Sequence, residues 1–421
     1  MKIFRHVACK AALVVLLTVL SLVAVIFSLK QKAIPVDAFA NFDAELFNVL
    51  CIDDNTIFFS KNDSLSKRCK YLFTNANDDG TPLSILHIGD SHVQADFFTG
   101  KTRMLLSQTL NDVNSSRGFT FPYQVAGSNN PDDYDVSWKG DWMRKKTDGN
   151  TDANFGLAGI AVSTTDMESS LTLKLLQGAA FDMVKVYFDS DSSIIEPKVD
   201  QNLNYLHIGD GLAVFHFNEP TDSVEIGISC YGLNTGRFTL YGFELLNSAA
   251  KLFYHAAGVN GASVRTFLNS RNFTAQLRQV NPKFVILSLG TNDAYDPNFN
   301  KTVFRANLKE LVSGIKSALP EAIVVLTTPG DHLVGKTDAN PFIAEANAQI
   351  ISVAKEMDCG LWDFYKVMGG DGSIKAWFEL GLTAQDMLHL NRKGYAVKGA
   401  LLYDALSKLA ANNSENTDKT Q

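Results

Sequence analysis

The sequence predicts an α/β protein: a three-layer α/β/α domain, split by an inserted antiparallel β-sandwich and preceded by one transmembrane helix. Three observations carry that prediction. Continuous apolar runs alternate with helical stretches on either side of the middle of the chain. Between about residues 120 and 252 this alternation gives way to short β-like runs separated by turn residues. An uncharged apolar stretch opens the sequence.

The opening stretch runs from Ala11 to Leu29, behind Lys2, Arg5 and Lys10. As a helix it would span about 28 Å at ~1.5 Å per residue, close to a bilayer core of about 30 Å. Basic residues ahead of it keep the N-terminus in the cytoplasm and send the rest across. Residues 1–32 are thus expected to be a signal anchor. The Ala38-Phe39-Ala40 triplet leaves a cleaved signal peptide as the alternative. Either way the remaining chain works in the cell envelope, in the periplasm or otherwise outside the cytoplasm. Residues 33–80 read as a juxtamembrane segment, with Phe42, Leu46, Phe47 and Leu50 near helical spacing.

The first part of the α/β domain is expected over 81–120. Ser84-Ile85-Leu86-His87-Ile88 is a short apolar run ending in Gly89-Asp90-Ser91, and Ala95 to about Val113 looks helical. Strand, tight turn and helix begin an α/β unit. The second part, 253–411, repeats the pattern. Strands are expected at 284–289, 323–326 and 361–363, and helices at 302–318, 341–357 and 393–411. Continuous apolar strands imply a parallel sheet covered on both faces. Residues 412–421 are polar and read as a flexible tail.

The insert is placed at 121–252. Runs at 171–175, 184–188, 212–217, 224–228 and 237–241 are short, alternating or aromatic, and no helical pattern intervenes. That is the signature of antiparallel sheets. Trp138 and Trp142 lie near its start and could be a platform for sugar rings or ordinary core.

Composition narrows the function. The 421 residues are 46% hydrophobic and 20% charged, a globular balance, with a formal net charge of -7. Nucleic acid is excluded as a partner, since phosphate binding needs clustered Lys and Arg. The five cysteines, Cys9, Cys51, Cys69, Cys230 and Cys359, form no CxxC pair, and no Cys/His cluster has zinc spacing. No metal and no cofactor are expected. Export would permit a Cys51–Cys69 disulfide; two separate thiols are the alternative.

Four separated segments carry the chemistry: Gly89-Asp90-Ser91-His92, Gly258-Val259-Asn260-Gly261-Ala262-Ser263, Gly290-Thr291-Asn292-Asp293 and Asp386-Met387-Leu388-His389. A serine on a tight turn after a strand presents its hydroxyl at the carboxyl edge of the sheet, where α/β folds place ligands. A hydroxyl attacks only when a base takes its proton, so an imidazole must come within about 2.6–3.2 Å. A carboxylate three residues before that imidazole can fold back and orient it. His92 and Asp90 read as structural neighbours of the serine, and Asp96 as an early-helix acid suited to the helix dipole.

In this order the four segments resemble the signature blocks of the SGNH (GDSL-like) serine hydrolases, over about residues 83–118 and 253–410. The resemblance implies a flavodoxin-like domain in which Ser91 is the nucleophile, His389 the general base and Asp386 its orienting acid. It implies an oxyanion hole from the amides of Ser91 and Gly261 and the side-chain NH2 of Asn292. The stretch Gly89 to Gly100, Gly-Asp-Ser-His-Val-Gln-Ala-Asp-Phe-Phe-Thr-Gly, together with a β-rich insert, is similar to the peptidoglycan O-acetylesterases, which carry a carbohydrate-binding-like sandwich. An acetylated glycan is therefore the expected substrate and the membrane the expected attachment. An O-acetyltransferase and a non-catalytic glycan-binding protein remain as alternatives. The sequence says nothing about oligomeric state.

Overall fold

The computed structural model describes residues 37–411 apart from 41, 61–62, 75, 77–80, 147–154, 192–194 and 231–235. The expected membrane segment at 1–32, Cys9 and the tail at 412–421 lie outside the described residues. Among the described residues no helix is long and apolar enough to cross a membrane.

A six-stranded sheet organises the α/β part. Its strands are β1 (Ile57–Phe59), β2 (Leu83–Gly89), β3 (Leu252–Gly258), β4 (Phe284–Ser288), β5 (Ile323–Thr327) and β6 (Gly360–Trp362), in the order β1-β6-β5-β4-β2-β3. From β2 to β6 all neighbours are parallel. Counted from β2, that order is the flavodoxin-like 2-1-3-4-5, with its switch point between β2 and β4. The expected three-layer α/β domain is present. Only β1 runs antiparallel, pairing Ile57 with Trp362 at one edge.

Alternating side chains of these strands enter two cores. Leu86, Ile88, Val285, Leu287, Val324 and Leu326 join one hydrophobic cluster. Ile85, Phe284, Ile286, Ile323 and Val325 join the other. Helices α3 (Lys301–Ala318) and α4 (Ile343–Glu356) cover the first face, and their Phe304, Leu308, Ile350 and Val353 enter its cluster. The second face carries α1 (Asp63–Thr74), α2 (Phe97–Thr109) and α5 (Arg392–Ala411), with α5 packed against both others. Both faces are buried, which is why the strands read as unbroken apolar runs.

The stretch read as juxtamembrane is more ordered than its sequence suggests. A 3-10 turn at Ala44–Asn48 is followed by β1 and α1, and Leu46, Leu50, Ile57, Cys69 and Phe73 are buried in the second cluster. Cys51 is exposed and Cys69 buried, both as free thiols, so the permitted disulfide is not formed. Burial pushes the Cys69 thiol up to about 12. The helix expected from Ala95 instead breaks at Asp96, whose φ is +57°, and resumes as α2.

Between β2 and β3 lie two sheets, every strand pair antiparallel. The larger runs 203–209, 212–221, 181–190, 238–246, 160–164, 143–146, with 118–120 also paired to 238–246. The smaller runs 134–139, 170–175, 223–230, 195–199. No helix interrupts them among the described residues. The strand by which the chain leaves the α/β part, 118–120, thus pairs with 238–246, by which it returns. Buried residues of both sheets belong to the same cluster as Leu86 and Ile88, so they share one core with the α/β part.

Candidate active site

The carboxyl ends of β2, β3 and β4 bring the sequence blocks together. β2 ends at Gly89, and Asp90 caps the short helix Ser91–Gln94 by accepting from the His92 N–H at 3.0 Å. Ser91 opens that helix at the sheet edge. Its Oγ lies 2.8 Å from His389 Nε2. His389 Nδ1 lies 2.7 Å from Asp386 Oδ2.

The Asp386–His389 loop is folded by its own carboxylate. Asp386 Oδ1 accepts from the N–H groups of Leu388 at 3.0 Å and His389 at 2.9 Å. Met387 turns the corner at φ +46°. Burial pushes the Asp386 carboxyl up, but the His389 ring and these two N–H groups outweigh it and hold it below the usual carboxylate range. An ionised Asp386 on Nδ1 leaves Nε2 to accept the serine proton.

Gly261 lies in a tight turn after β3. Val259 to Ala262 form a β-turn closed by an Ala262 N–H to Val259 carbonyl bond of 3.0 Å, with Gly261 third at φ +77°. A type II turn demands positive φ there, which a side chain resists. At Gly258 a Cβ would meet the Gln94 nitrogen at 2.7 Å and the Asp90 carbonyl at 2.8 Å, so the turn is seated directly on the Ser91 helix.

Asn292 lies in the short helix Thr291–Tyr295 after β4. Its side-chain NH2 donates to the Ala262 carbonyl at 2.9 Å and, more weakly, to Asp90 Oδ2 at 3.4 Å. The structure thus brings Ser91, Asn292, His389 and the Gly261 turn together at one edge.

Neighbouring residues support this edge. Gln94, quoted within the Gly89 to Gly100 stretch without a role, is the residue that sequence reasoning missed. Its buried amide donates to Ser128 Oγ at 2.9 Å and to the Asn129 carbonyl at 2.9 Å, and its Oε1 accepts from the Asn260 N–H at 2.8 Å. It ties the serine helix to the Gly261 turn. His92 is turned away from Ser91 Oγ: its Nδ1 meets the Tyr395 hydroxyl at 2.8 Å, and its ring lies 5.3 Å from that of His389. Burial lowers His92 well below the ordinary histidine range, which suits packing against the His389 ring. Below the edge a buried polar row crosses four strands: Tyr254 to His87 at 2.9 Å, His87 to Ser288 at 2.7 Å, Ser288 to Thr327 at 2.8 Å. Burial pushes His87 down to about 3, so it is neutral.

Asp96 stands at the N-cap of α2, at the helix start where an acid was expected. It makes no side-chain cap bond to α2. Its carboxylate instead pairs with Arg103 at 2.5 Å and Arg117 at 3.3 Å. Burial pushes the Asp96 carboxyl up, and the two guanidiniums overcome this and hold it low. The reason is distance in sequence: Arg117 is brought in only by the fold. Among the described residues no group of three or more His, Cys, Asp or Glu side chains could hold a metal ion.

Known proteins resemble this chain in sequence and fold. Residues 228–397 match the profile of the GDSL-like Lipase/Acylhydrolase family. A solved peptidoglycan O-acetylesterase superposes with a TM-score of 0.73 at 25% identity, covering 85% of this chain and 99% of that one. Over residues 228–397 the chain is similar to the GDSL-like lipases and acylhydrolases. A lipase/acylhydrolase from Enterococcus faecalis, 26% identical, covers 37% of this chain and 75% of itself at a TM-score of 0.31. An acetyl xylan esterase, 18% identical, covers 35% and 78% at 0.30. No curated protein matches the chain.

One buried acid of this chain makes its stability depend on pH. Asp293 accepts from the Val264 N–H at 3.2 Å, and burial pushes its carboxyl from 3.8 up to about 7. Between those values the folded chain keeps a proton that the unfolded chain has lost. Stability therefore falls as pH rises through that window. Asp293→Asn keeps the acceptor and cannot ionise. Its Tm relative to the wild type is expected to rise by at least about 2 °C between pH 5 and pH 8. Parallel Tm profiles for the two proteins would refute this.

Proposed function

We propose that the protein is an exported serine esterase that removes O-acetyl groups from a cell-wall glycan, peptidoglycan in particular, through an acetyl-enzyme intermediate. The observation that carries the proposal is the series Ser91 Oγ, His389, Asp386, with contacts of 2.8 and 2.7 Å at the sheet edge. In this reading Ser91 attacks the acetyl carbonyl as His389 takes its proton. The amides of Ser91 and Gly261 and the Asn292 NH2 receive the oxyanion, which would displace the 3.4 Å contact to Asp90. The oxyanion collapses, the sugar oxygen leaves with the proton from His389, and the acetyl group stays on Ser91. Water activated by His389 then attacks that ester and releases acetate.

The likeness to a peptidoglycan O-acetylesterase over 85% of the chain supports the substrate class. The two antiparallel sheets support reading 121–252 as the inserted carbohydrate-binding-like sandwich, between hydrolase parts at 81–120 and 253–411. Residues 1–32 would anchor the enzyme in the inner membrane with its site in the periplasm. Acetate release from O-acetylated peptidoglycan and from acetylated xylan tests the reading. The expected kcat/KM is at least tenfold higher on peptidoglycan, with fluorophosphonate labelling of Ser91. Preference for xylan would overturn the substrate, and an unlabelled Ser91 the mechanism.

A further inference from the structure

A cleft of about 690 Å³ opens between α2 and the first turns of the insert. That is within the usual range for ligand sites, about 300–1,000 Å³. One wall is a single face of α2 and its continuation: Phe97, Gly100, Met104, Gln108 and Asn111 recur at helical spacing along it. The cleft therefore runs parallel to the helix axis, for about 20 Å at ~1.5 Å per residue. It is a trough for an elongated ligand rather than a hole for a compact one.

Its near end is linked to the active site through intervening side chains; Ser91 and His389 do not themselves line it. Arg392, three residues after His389, lies 4.4 Å over the Phe97 ring and pairs with Asp132 of the opposite wall. The Phe97 ring is 6.1 Å from Tyr395, which holds His92 against His389. From there the trough leads away along α2.

The lining selects the chemistry of the ligand. Its charges answer one another: Asp96 and Asp133 with Arg103 and Arg117, Asp132 with Arg392. Asp112 accepts the N–H groups of Lys251 and Leu252, each at 2.9 Å. An anionic or cationic ligand would find its counter-charges already engaged. A lipid tail would face hydroxyls and amides. What remains is a polar, hydrogen-bonding chain with apolar ring faces to set against Phe97 and Met104. An acetyl group alone offers little binding energy, so such a chain must supply it.

We infer that this trough holds the sugar units flanking the acetylated one, so that the enzyme reads an extended glycan strand along α2. The inference rests on the glycan-esterase reading above and adds the direction and the residues. Each added sugar on that side should raise kcat/KM until the trough is full.

The test uses O-acetylated glycan oligomers of graded length, with 4-nitrophenyl acetate measured on the same preparations. Met104 is 42% exposed on the helix and lines the trough. Met104→Trp and Gln108→Trp fill the trough at successive turns. In the wild type kcat/KM is expected to rise at least tenfold with oligomer length. Gln108→Trp should end that rise at a longer oligomer than Met104→Trp does. A length-independent wild type, or two variants that keep the wild-type length profile, would overturn the inference while leaving the esterase reading intact. Release of acetate from 4-nitrophenyl acetate but from none of the oligomers would instead overturn the glycan reading itself.

Discussion

Ser91→Ala and His389→Ala are each expected to lower kcat on a small acetyl ester by on the order of 10⁶, with no loss of fold. The two losses should be nearly equal, because a serine without its base and a base without its serine are equally idle. Asp386→Asn should cost about 10⁴: it keeps the geometry and presents the wrong tautomer of His389. Asn292→Ala should cost about 10²–10³, the usual price of one oxyanion donor. The order rests on the 2.8 and 2.7 Å contacts through His389 and on the place of Asn292 beside the Gly261 turn. Initial rates on 4-nitrophenyl acetate, with circular dichroism to verify folding, measure the series. His92→Ala should lose far less, since its Nδ1 is engaged by Tyr395. A His92→Ala loss as large as that of His389→Ala would mean that the base has been misassigned.

Three of the four blocks lie at strand ends and were legible for that reason: each follows an apolar run buried between the cores. The Asp386–His389 block follows the helix Ser373–Glu379 instead, and no strand marks it. Gly261 was legible as a glycine that had to be one, and its φ of +77° gives the reason. The engagement of Asn292 was not legible, because its partner, the Ala262 carbonyl, is main chain from another block.

Other losses have equally specific causes. β1 has three residues and one buried position, too few to display a period. The strand 203–209 lies at a sheet edge with most side chains exposed, which hides its period, and 195–199 alternates but carries Pro197, which argues against a strand except at an edge, where it lies. In the opposite sense, 160–164 is wholly buried, but Ser163 and Thr164 end its apolar run after three residues, so it was not among the expected strands. Trp138 is 47% exposed, whereas Trp142 packs against the core with its N–H on the Lys139 carbonyl.

Asp96→Asn is expected to cost the fold about 3–5 kcal/mol, the scale for removing one partner of a buried charge cluster. Asn accepts the left-handed backbone at φ +57°, so strain is not added and the change isolates the charge. Arg103 and Arg117, with side chains 10% and 4% exposed, would be left to Asp133 alone. Because two guanidiniums cannot be desolvated against one carboxylate, the folded state would have to admit water or shift α2. A comparison with Asp54→Asn calibrates the effect. Asp54 pairs with Lys366 at 2.7 Å, but the two side chains are 42% and 57% exposed, and such pairs contribute at most about 1 kcal/mol. Denaturant unfolding of both variants gives the difference directly; an Asp96→Asn loss no larger than that of Asp54→Asn would show that the cluster does not hold the fold. The same cluster joins α2 to Arg117 and Asp133 at the start of the insert. Short of unfolding, Asp96→Asn should therefore impair the glycan polymer more than 4-nitrophenyl acetate, since it loosens the trough wall while Ser91 and His389 keep their own contacts.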